Sequence, residues 1–246
     1  MQQLDLTRRT FFAGASALSA LALAGCVTSA PPPAAAVVAA PPPKGDATAE
    51  LPLPEMGAPS LAEYQVIYGP VTGEKFPIPP IAFNEIDPTF LRQVVRYDTA
   101  EKPGTIVIDP KQHFLYHVLD GGRAARYGVG VGREGFAWNG TANIRSKQEW
   151  PDWYPPSDMF ERQPELKKLM KNLQGGLGMP GGPGNPLGCR AMYLWQGNKD
   201  TLFRIHGTVE PLSIGKSVSS GCIRMLNQDV IDLYSQTPVD TKVIVL

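Results

Sequence analysis

A histidine and a cysteine near the C-terminal end of this chain could together carry out acyl transfer. His206 lies in Arg-Ile-His-Gly-Thr, and Cys222 follows sixteen positions later in Ser-Ser-Gly-Cys-Ile-Arg. A free thiol has a pKa of about 8.5 and becomes a strong nucleophile when an imidazole takes its proton, which histidine can do near neutral pH. Taken alone, the pair also fits an inert buried thiol and a surface imidazole, which are more common.

The residues next to Cys222 favour the chemical interpretation. Gly221 has no side chain, so a substrate carbonyl can approach closely. The backbone N–H groups of Ser220 and Gly221 can then hold the negative oxygen of a tetrahedral intermediate. Arg224 offers a planar cation that either binds a substrate carboxylate or braces the loop. We therefore predict Cys222 as the nucleophile and His206 as the general acid–base.

The combined string resembles the signature of L,D-transpeptidases with a YkuD-type catalytic domain. The family pattern is a histidine, a gap in the middle teens, Ser/Thr-His-Gly-Cys, and then a hydrophobic residue and an arginine. The chain departs from this pattern at Ser220, where many members carry a second histidine, so we expect no second imidazole to act here. It matches the pattern at His206, Ser219, Gly221, Cys222, Ile223 and Arg224.

The resemblance implies a substrate and a mechanism. Cys222 would form a thioester with the third residue of a peptidoglycan tetrapeptide stem, and a second stem would resolve it into a cross-link between third-position diamino acids. The resemblance also implies that the Gly207 carbonyl orients His206 and that Ser219 takes part in substrate binding. It implies no metal and no organic cofactor.

Other fates of the same thioester stay open. With water as the acceptor, the chain would be an L,D-carboxypeptidase or an amidase. With an outer-membrane protein as the acyl acceptor, it would attach that protein to peptidoglycan. A non-catalytic lipoprotein that binds the cell wall is a further class, but such a protein would be expected to lack the cysteine or the histidine.

The elements that position this site are predicted to be mainly β-strands. The resemblance covers roughly residues 104–246 and implies a mixed β-sandwich with one or two short helices. One helix is predicted to start near Leu226 with Asn227 as its cap, and shorter helical segments at 87–95 and 164–173. Alternating and β-branched runs predict strands at 105–109, 113–119, 123–131, 190–194, 201–206 and 241–246.

Aromatic residues punctuate the irregular stretch that precedes the site. Trp150, Trp153 and Tyr154 lie there, followed by a glycine-rich run at 175–188. Long segments with little regular structure are often binding loops or lids. We predict an aromatic wall over the substrate cleft, with core packing as the alternative for each tryptophan.

Residues 1–26 are predicted to be an export signal. Arg8 and Arg9 precede an apolar run from Phe11 to Ala24, which is too short for a permanent membrane span. The paired arginines resemble a Tat signal, and Leu-Ala-Gly-Cys resembles a lipobox that would lipidate Cys26. Ordinary signal cleavage is the alternative. The prediction is a periplasmic protein held at the outer membrane by a lipid anchor only.

The segments between the signal and the catalytic domain, and the charge balance of the chain, give the predictions on domain organisation and partners. Residues 27–59 contain nine prolines and predict a disordered or polyproline-like linker, and residues 60–103 predict an extension that packs on the catalytic domain at 104–246. Lys plus Arg and Asp plus Glu number 23 each, so charge gives no case for a nucleic acid partner.

Three further residues have predicted roles outside the catalytic pair. Cys189 is predicted to be a small buried apolar residue, with a reversible disulfide to Cys222 as the alternative. His113 and His117 lie about 13 Å apart along a strand, too far to share one metal ion, and are predicted to be exposed.

Overall fold

Strands dominate residues 56–133 and 138–246, which are the residues that the computed structural model of this protein describes. No described helix is long and apolar enough to cross a membrane. The α-helices are α1 (Leu61–Ile67), α2 (Ser157–Arg162) and α3 (Asn227–Gln236), and 3-10 turns lie at Phe83–Glu85, Pro88–Phe90, Pro164–Leu169 and Pro211–Ser213. The strands are β1 (Gln93–Arg96), β2 (Ile106–Asp109), β3 (Phe114–Leu119), β4 (Arg123–Gly128), β5 (Val131–Gly132), β6 (Gly140–Glu149), β7 (Lys171–Leu173), β8 (Gly176–Gly178), β9 (Arg190–Gln196), β10 (Lys199–His206), β11 (Ser217–Ser219), β12 (Ile223–Arg224) and β13 (Lys242–Val245).

Nine of the described strands form one mixed sheet, in the order β1-β4-β3-β2-β13-β6-β9-β10-β12. Neighbours are antiparallel except β2 with β13 and β10 with β12, which run parallel. Ile106, Val107 and Ile108 of β2 are all buried, as expected for a central strand covered on both faces. Two small sheets pair β5 with β11 and β7 with β8. The predicted mainly β fold with mixed sheets and few short helices is confirmed.

The core lies between this sheet and helix α3. Val230 and Leu233 of α3 are buried in the same cluster as Met192 of β9, Ile205 of β10 and Ile223 of β12. Burying side chains of this size stabilises the fold by about 1.5–3 kcal/mol each. The apolar face of α3 therefore fixes which side of β9, β10 and β12 points inward.

A second, smaller cluster joins the N-terminal extension to the catalytic region. Tyr64 and Tyr68 of the α1 segment pack with Ile214 and Leu226 in this cluster. The Tyr68 hydroxyl donates to a carboxylate oxygen of Asp229 at 3.3 Å. Leu51–Leu246 is one compact unit, without a boundary at residue 104. The predicted signal at 1–26, Cys26 and all but the last residues of the 27–59 linker lie outside the described residues.

Two helical predictions are wrong. The helix expected at 87–95 is a single 3-10 turn at Pro88–Phe90, and the chain continues as β1, which pairs with β4. The helix expected at 164–173 is a 3-10 segment that ends at Leu169, after which β7 pairs with β8. At β1, pairing with the distant strand β4 outweighs the local helix signals, and at β7 a short hairpin with β8 does so.

The prediction that His113 and His117 are exposed is wrong, because His117 is buried and His113 is half-buried. His117 is buried opposite Ile106 and Ala125, and neither of its ring nitrogens has a hydrogen-bond partner among the described residues. Burial lowers the pKa of His117, so the ring is neutral at neutral pH. His113 lies in the turn before β3 with φ +60, and its Nε2 is 3.0 Å from the Ser217 hydroxyl.

A buried ion pair offers a test of how strongly the extension is held. Arg190 donates two hydrogen bonds to Glu74, at 2.8 and 2.6 Å, and both side chains are largely buried. Glu74→Ala leaves the buried guanidinium with only the longer, exposed ion pair to Glu149 at 3.8 Å, so we expect a loss of about 3–5 kcal/mol in the free energy of unfolding, measured by urea denaturation. Glu101→Ala breaks the more exposed pair with Lys242 and should lose less than about 1 kcal/mol. Equal losses in the two variants would contradict this account.

Candidate active site

Parallel pairing of β10 with β12 places the predicted catalytic residues on one face of the sheet. Ile205 pairs with Ile223, and His206 pairs with Arg224. Both isoleucines are buried in the core, and successive side chains alternate between faces. His206 and Arg224 therefore point away from the isoleucine side, and Cys222, one residue before Ile223, shares their face.

The His206 ring is fixed by the next residue in the chain. Its Nδ1 lies 2.5 Å from the carbonyl oxygen of Gly207. A carbonyl can only accept, so Nδ1 carries the proton and Nε2 is left with a lone pair. Burial lowers the pKa of His206 to about 4, the Gly207 carbonyl acts against this shift, and Arg224 and Arg204 add to it. At neutral pH the ring is a neutral base.

Cys222 is partly exposed and protonated at rest. Its Sγ lies 3.9 Å from the carbonyl oxygen of Leu202. Burial raises the pKa of the thiol, while the Arg204 backbone and the guanidinium groups of Arg204 and Arg224 lower it. No hydrogen bond joins Cys222 to His206 in the described part of the chain. Catalytic hydrogen bonds are often long in unliganded enzymes and shorten when substrate binds.

The loop before Cys222 is held by its own side chain. Ser219 is buried, and its hydroxyl donates to the Cys222 carbonyl at 2.7 Å and accepts from the Gly221 N–H at 3.1 Å. Gly221 has φ +121, in a region that favours glycine. The Ser219 hydroxyl is thus engaged within the loop, and the role of Ser219 in substrate binding stays a prediction.

The same contacts bear on the predicted oxyanion hole. The Gly221 N–H donates to the Ser219 hydroxyl. Ser220 is exposed at the surface of the loop. The contributions of the Ser220 and Gly221 amides to an oxyanion hole both stay predictions.

Two arginines flank the thiol, and each is paired with a carboxylate. Arg224 binds Glu210 at 2.6 Å, and its backbone N–H and carbonyl both pair with Gly130. Arg204 forms two hydrogen bonds with Asp200, at 2.7 and 2.8 Å, and its guanidinium lies 4.4 Å from the centre of the Tyr193 ring. These are the contacts of the bracing role, and substrate binding by Arg224 stays a prediction.

The predicted aromatic wall is only partly present. Trp150 is buried in the main core, where it contacts Phe76 edge-on and donates to Glu74 at 3.0 Å. Its predicted role in substrate binding is wrong, because its ring is enclosed by the fold. Trp153 is half-buried and pairs through its backbone with Met179.

Tyr154 is exposed, and its hydroxyl accepts from the Gly175 N–H at 3.1 Å. Tyr193 pairs with Arg204 across β9 and β10, so its side chain lies on the same face as that of Arg204. The roles of Trp153 and Tyr154 in substrate binding stay predictions.

Sequence reasoning missed Asn227 and the Asp200–Arg204 pair. The Asn227 side chain does not cap α3 but bonds the Cys189 N–H and the Thr208 carbonyl. An asparagine directly before a helical run is the usual signal for a helix cap. The sequence therefore predicted that Asn227 bonds the first turn of α3, and not Cys189 and Thr208. Asp200 and Arg204 are four residues apart, a spacing at which opposite charges pair on a helix. Here they pair within strand β10, where the register with β9 shifts between them.

Neither a metal cluster nor a disulfide marks this site. In residues 56–133 and 138–246, no three His, Cys, Asp or Glu side chains are grouped as metal ligands. Cys189 is fully buried and unpaired, and burial raises the pKa of its thiol to about 12. A cavity of about 510 Å³ lies elsewhere, between the extension and α3, and is lined by Arg92, Leu119 and Asp232 among others.

Comparison with known families and curated proteins shows what the catalytic region is similar to. The family model of the YkuD L,D-transpeptidase catalytic domain matches residues 103–245. Escherichia coli K12 "Probable L,D-transpeptidase ErfK/SrfK" is 32% identical, over 63% of this chain and 47% of its own length. "Probable L,D-transpeptidase YbiS" from the same strain is 27% identical, over 62% and 47%. The chain thus spans about half the length of these curated relatives.

Two solved structures are also similar. One, titled "Probable carnitine operon oxidoreductase caia" and from Brucella melitensis, is 54% identical over 67% of this chain and 99% of its own, with a TM-score of 0.44. An L,D-transpeptidase from Mycobacterium smegmatis is 18% identical over 58% of each chain, with a TM-score of 0.43. The first title names a different activity from the family model and the curated relatives, and TM-scores this low carry no argument about function.

The lowered pKa of His206 predicts a pH dependence of stability. The unfolded histidine titrates near 6.5 and the folded one near 4, so the unfolded state binds more protons between these values. The stability from neutral, buried His206 is present above pH 6.5 and is lost as the pH falls towards 4, by about 3 kcal/mol in all. Urea denaturation of wild type and His206→Gln from pH 4 to 7.5 should show a shallower slope in the variant. Parallel slopes would contradict the assignment.

Proposed function

This chain belongs to the family of L,D-transpeptidase catalytic domains, and on this premise we propose that it is a cysteine acyltransferase acting on peptidoglycan tetrapeptide stems. The observation that carries the proposal is the pairing of β10 with β12, which puts Cys222 and His206 on one face of the sheet. The fixed Nδ1–H tautomer of His206 supports it, since Nε2 is left to accept a proton.

In the first half of the reaction, Cys222 attacks the carbonyl carbon of the third stem residue. The thiol proton passes to Nε2 of His206 as the carbon–sulfur bond forms. The backbone N–H groups at Ser220 and Cys222 are the proposed donors to the oxyanion. The intermediate then collapses to a thioester, and His206 returns the proton to the amine of the departing D-alanine.

In the second half, the side-chain amine of another stem attacks the thioester. His206 takes a proton from this amine, the carbon–sulfur bond breaks, and the sulfur leaves as the Cys222 thiol after the proton returns to it. The product is an amide between two third-position diamino acids. Each bond broken in one half is matched by a bond formed, so no further reactant is required.

The charges around the thiol support the proton transfer. Resting Cys222 and His206 are both neutral, so attack requires the transfer of a proton between them. Arg204 and Arg224 lower the pKa of the thiol and so stabilise negative charge on sulfur. The carboxylates of Asp200 and Glu210 hold the two guanidinium groups in place.

The acceptor decides between the related activities. Water in place of the second amine would give an L,D-carboxypeptidase or an amidase, and an outer-membrane protein would give attachment to peptidoglycan. A cell-wall-binding protein without catalysis remains the other class. Mass analysis of products from defined tetrapeptide stems separates these activities, because a cross-linked dimer, free D-alanine without dimer, and no product are three different results.

The nucleophile can be tested against a second cysteine in the same chain. Cys222→Ala should abolish both the thioester seen by intact mass and product formation, a loss of at least about 10³-fold. Cys189→Ala should keep both, since Cys189 is fully buried. Iodoacetamide should label Cys222 in the wild type and leave Cys189 unlabelled until the protein unfolds. Full cross-linking by Cys222→Ala would refute the proposal.

The export signal and the lipid anchor are part of the proposal but rest on sequence alone. We expect Tat-type export to the periplasm and lipidation of Cys26, followed by a proline-rich tether that reaches peptidoglycan from the outer membrane. Labelling of cells with palmitate should mark the wild-type protein and not Cys26→Ala. Persistent labelling of Cys26→Ala would rule out the anchor, without bearing on the catalytic assignment.

A further inference from the structure

We infer that Asn227 is a positioning residue for the catalytic imidazole, which deepens the proposed function and rests on it. Asn227 lies at the start of α3, on a different element from both His206 and Cys222. Its side chain joins the two backbone segments on either side of the imidazole and so fixes where the His206 ring sits.

Both ends of the Asn227 amide are used. Oδ1 accepts from the Cys189 N–H at 3.2 Å, and Nδ2 donates to the Thr208 carbonyl at 3.0 Å. The Cys189 thiol also donates to the Asn227 carbonyl at 3.7 Å. One side chain therefore links the segment 187–189 to the segment 206–208. The next residue on the first side, Arg190, accepts from the Gly207 N–H through its carbonyl at 3.0 Å.

Two glycines make this close approach possible. A Cβ added to Gly188 or to Gly207 would overlap the Oδ1 atom of Asn227. Gly188 also has φ +62, a conformation that other residues adopt rarely. The Asn227 amide thus packs directly against the backbone at Gly188 and at Gly207, and a side chain at either position would displace it.

The linked segments are the ones that contact the imidazole. Gly207 supplies the carbonyl that binds Nδ1 of His206, and the Leu187 carbonyl also raises the pKa of the ring. Asn227 bonds to Thr208, the residue after Gly207, and to Cys189, two residues after Leu187. A change at Asn227 therefore reaches the ring through the backbone that sets its tautomer, without touching it.

Capping of helix α3 does not account for these contacts. Leu226 is the residue at the cap position, and no side chain bonds the free N–H groups there. Asn227 is the first residue of the helix, where Ala is well tolerated. Loss of this side chain should therefore act on the 187–189 and 206–208 segments more than on the helix.

The test compares Asn227→Ala with wild type in the full chain. Nitrogen-15 spectra of the His206 ring should show an Nδ1–H tautomer in the wild type and a mixture with the Nε2–H tautomer in Asn227→Ala. The rate of thioester formation on a tetrapeptide stem should fall by about 100-fold, with KM little changed, because a displacement of about 1 Å has costs of that size. A single tautomer and an unchanged rate in Asn227→Ala would overturn the inference.

Two other variants separate positioning from general stability. Asn143→Ala removes an amide that donates to the Asp240 carbonyl at 2.9 Å, remote in sequence from the catalytic loop, and should leave tautomer and rate unchanged. Asn227→Asp keeps the shape and the acceptor to Cys189 but turns a carboxylate oxygen towards the Thr208 carbonyl, where two acceptors repel, so its rate should fall at least as far as that of Asn227→Ala. A wild-type rate in Asn227→Asp, or a tautomer change in Asn143→Ala, would overturn the inference.

The outcome also separates this inference from the proposed function. If the wild type forms no thioester on any stem but the tautomer changes in Asn227→Ala, the proposed function fails and the positioning role stands. If the wild type is active and Asn227→Ala matches it in rate and tautomer, the positioning role fails and the proposed function stands.

Discussion

The short parallel pairing of β10 with β12 is the contact on which the candidate site depends. Ile205 and Ile223 lie side by side under α3, and their burial sets the face of each strand. Because side chains alternate along a strand, burial of these two residues obliges His206 and Cys222 to share the opposite face. A slip of one residue in either strand would turn one of these two predicted catalytic side chains into the core. The register that packs the core therefore also sets the geometry of the site.

Burial sets the protonation of this site as firmly as it sets its geometry. His206 and Cys222 are both held neutral by desolvation, and the two arginines near them are paired with Asp200 and Glu210. In this resting state the thiol keeps its proton and the imidazole has a free lone pair on Nε2.

The sequence predicted those features that depend on neighbours along the chain. Strands β2, β3, β9, β10 and β13 follow from runs of alternating or β-branched residues, and the family signature gives the predicted nucleophile and base. The sequence failed at Gln93–Arg96, which was read as helix but pairs with the distant strand β4. It failed also at Lys171–Leu173, which was read as helix but forms a hairpin with β8. It also failed for Trp150 and His117, whose burial depends on what packs against them rather than on their own neighbours.

By itself, the sequence determined the family, the mainly β fold and the two residues that could do acyl transfer, because residue type and local spacing carry that information. Only the tertiary structure decided what each remaining polar group does: Ser219 holds the loop, Arg224 braces Glu210, and Asn227 joins two segments instead of capping its helix. Partners far apart in the sequence become neighbours only when the core closes. A side chain's hydrogen bonds are therefore settled by which backbone groups packing leaves within its reach.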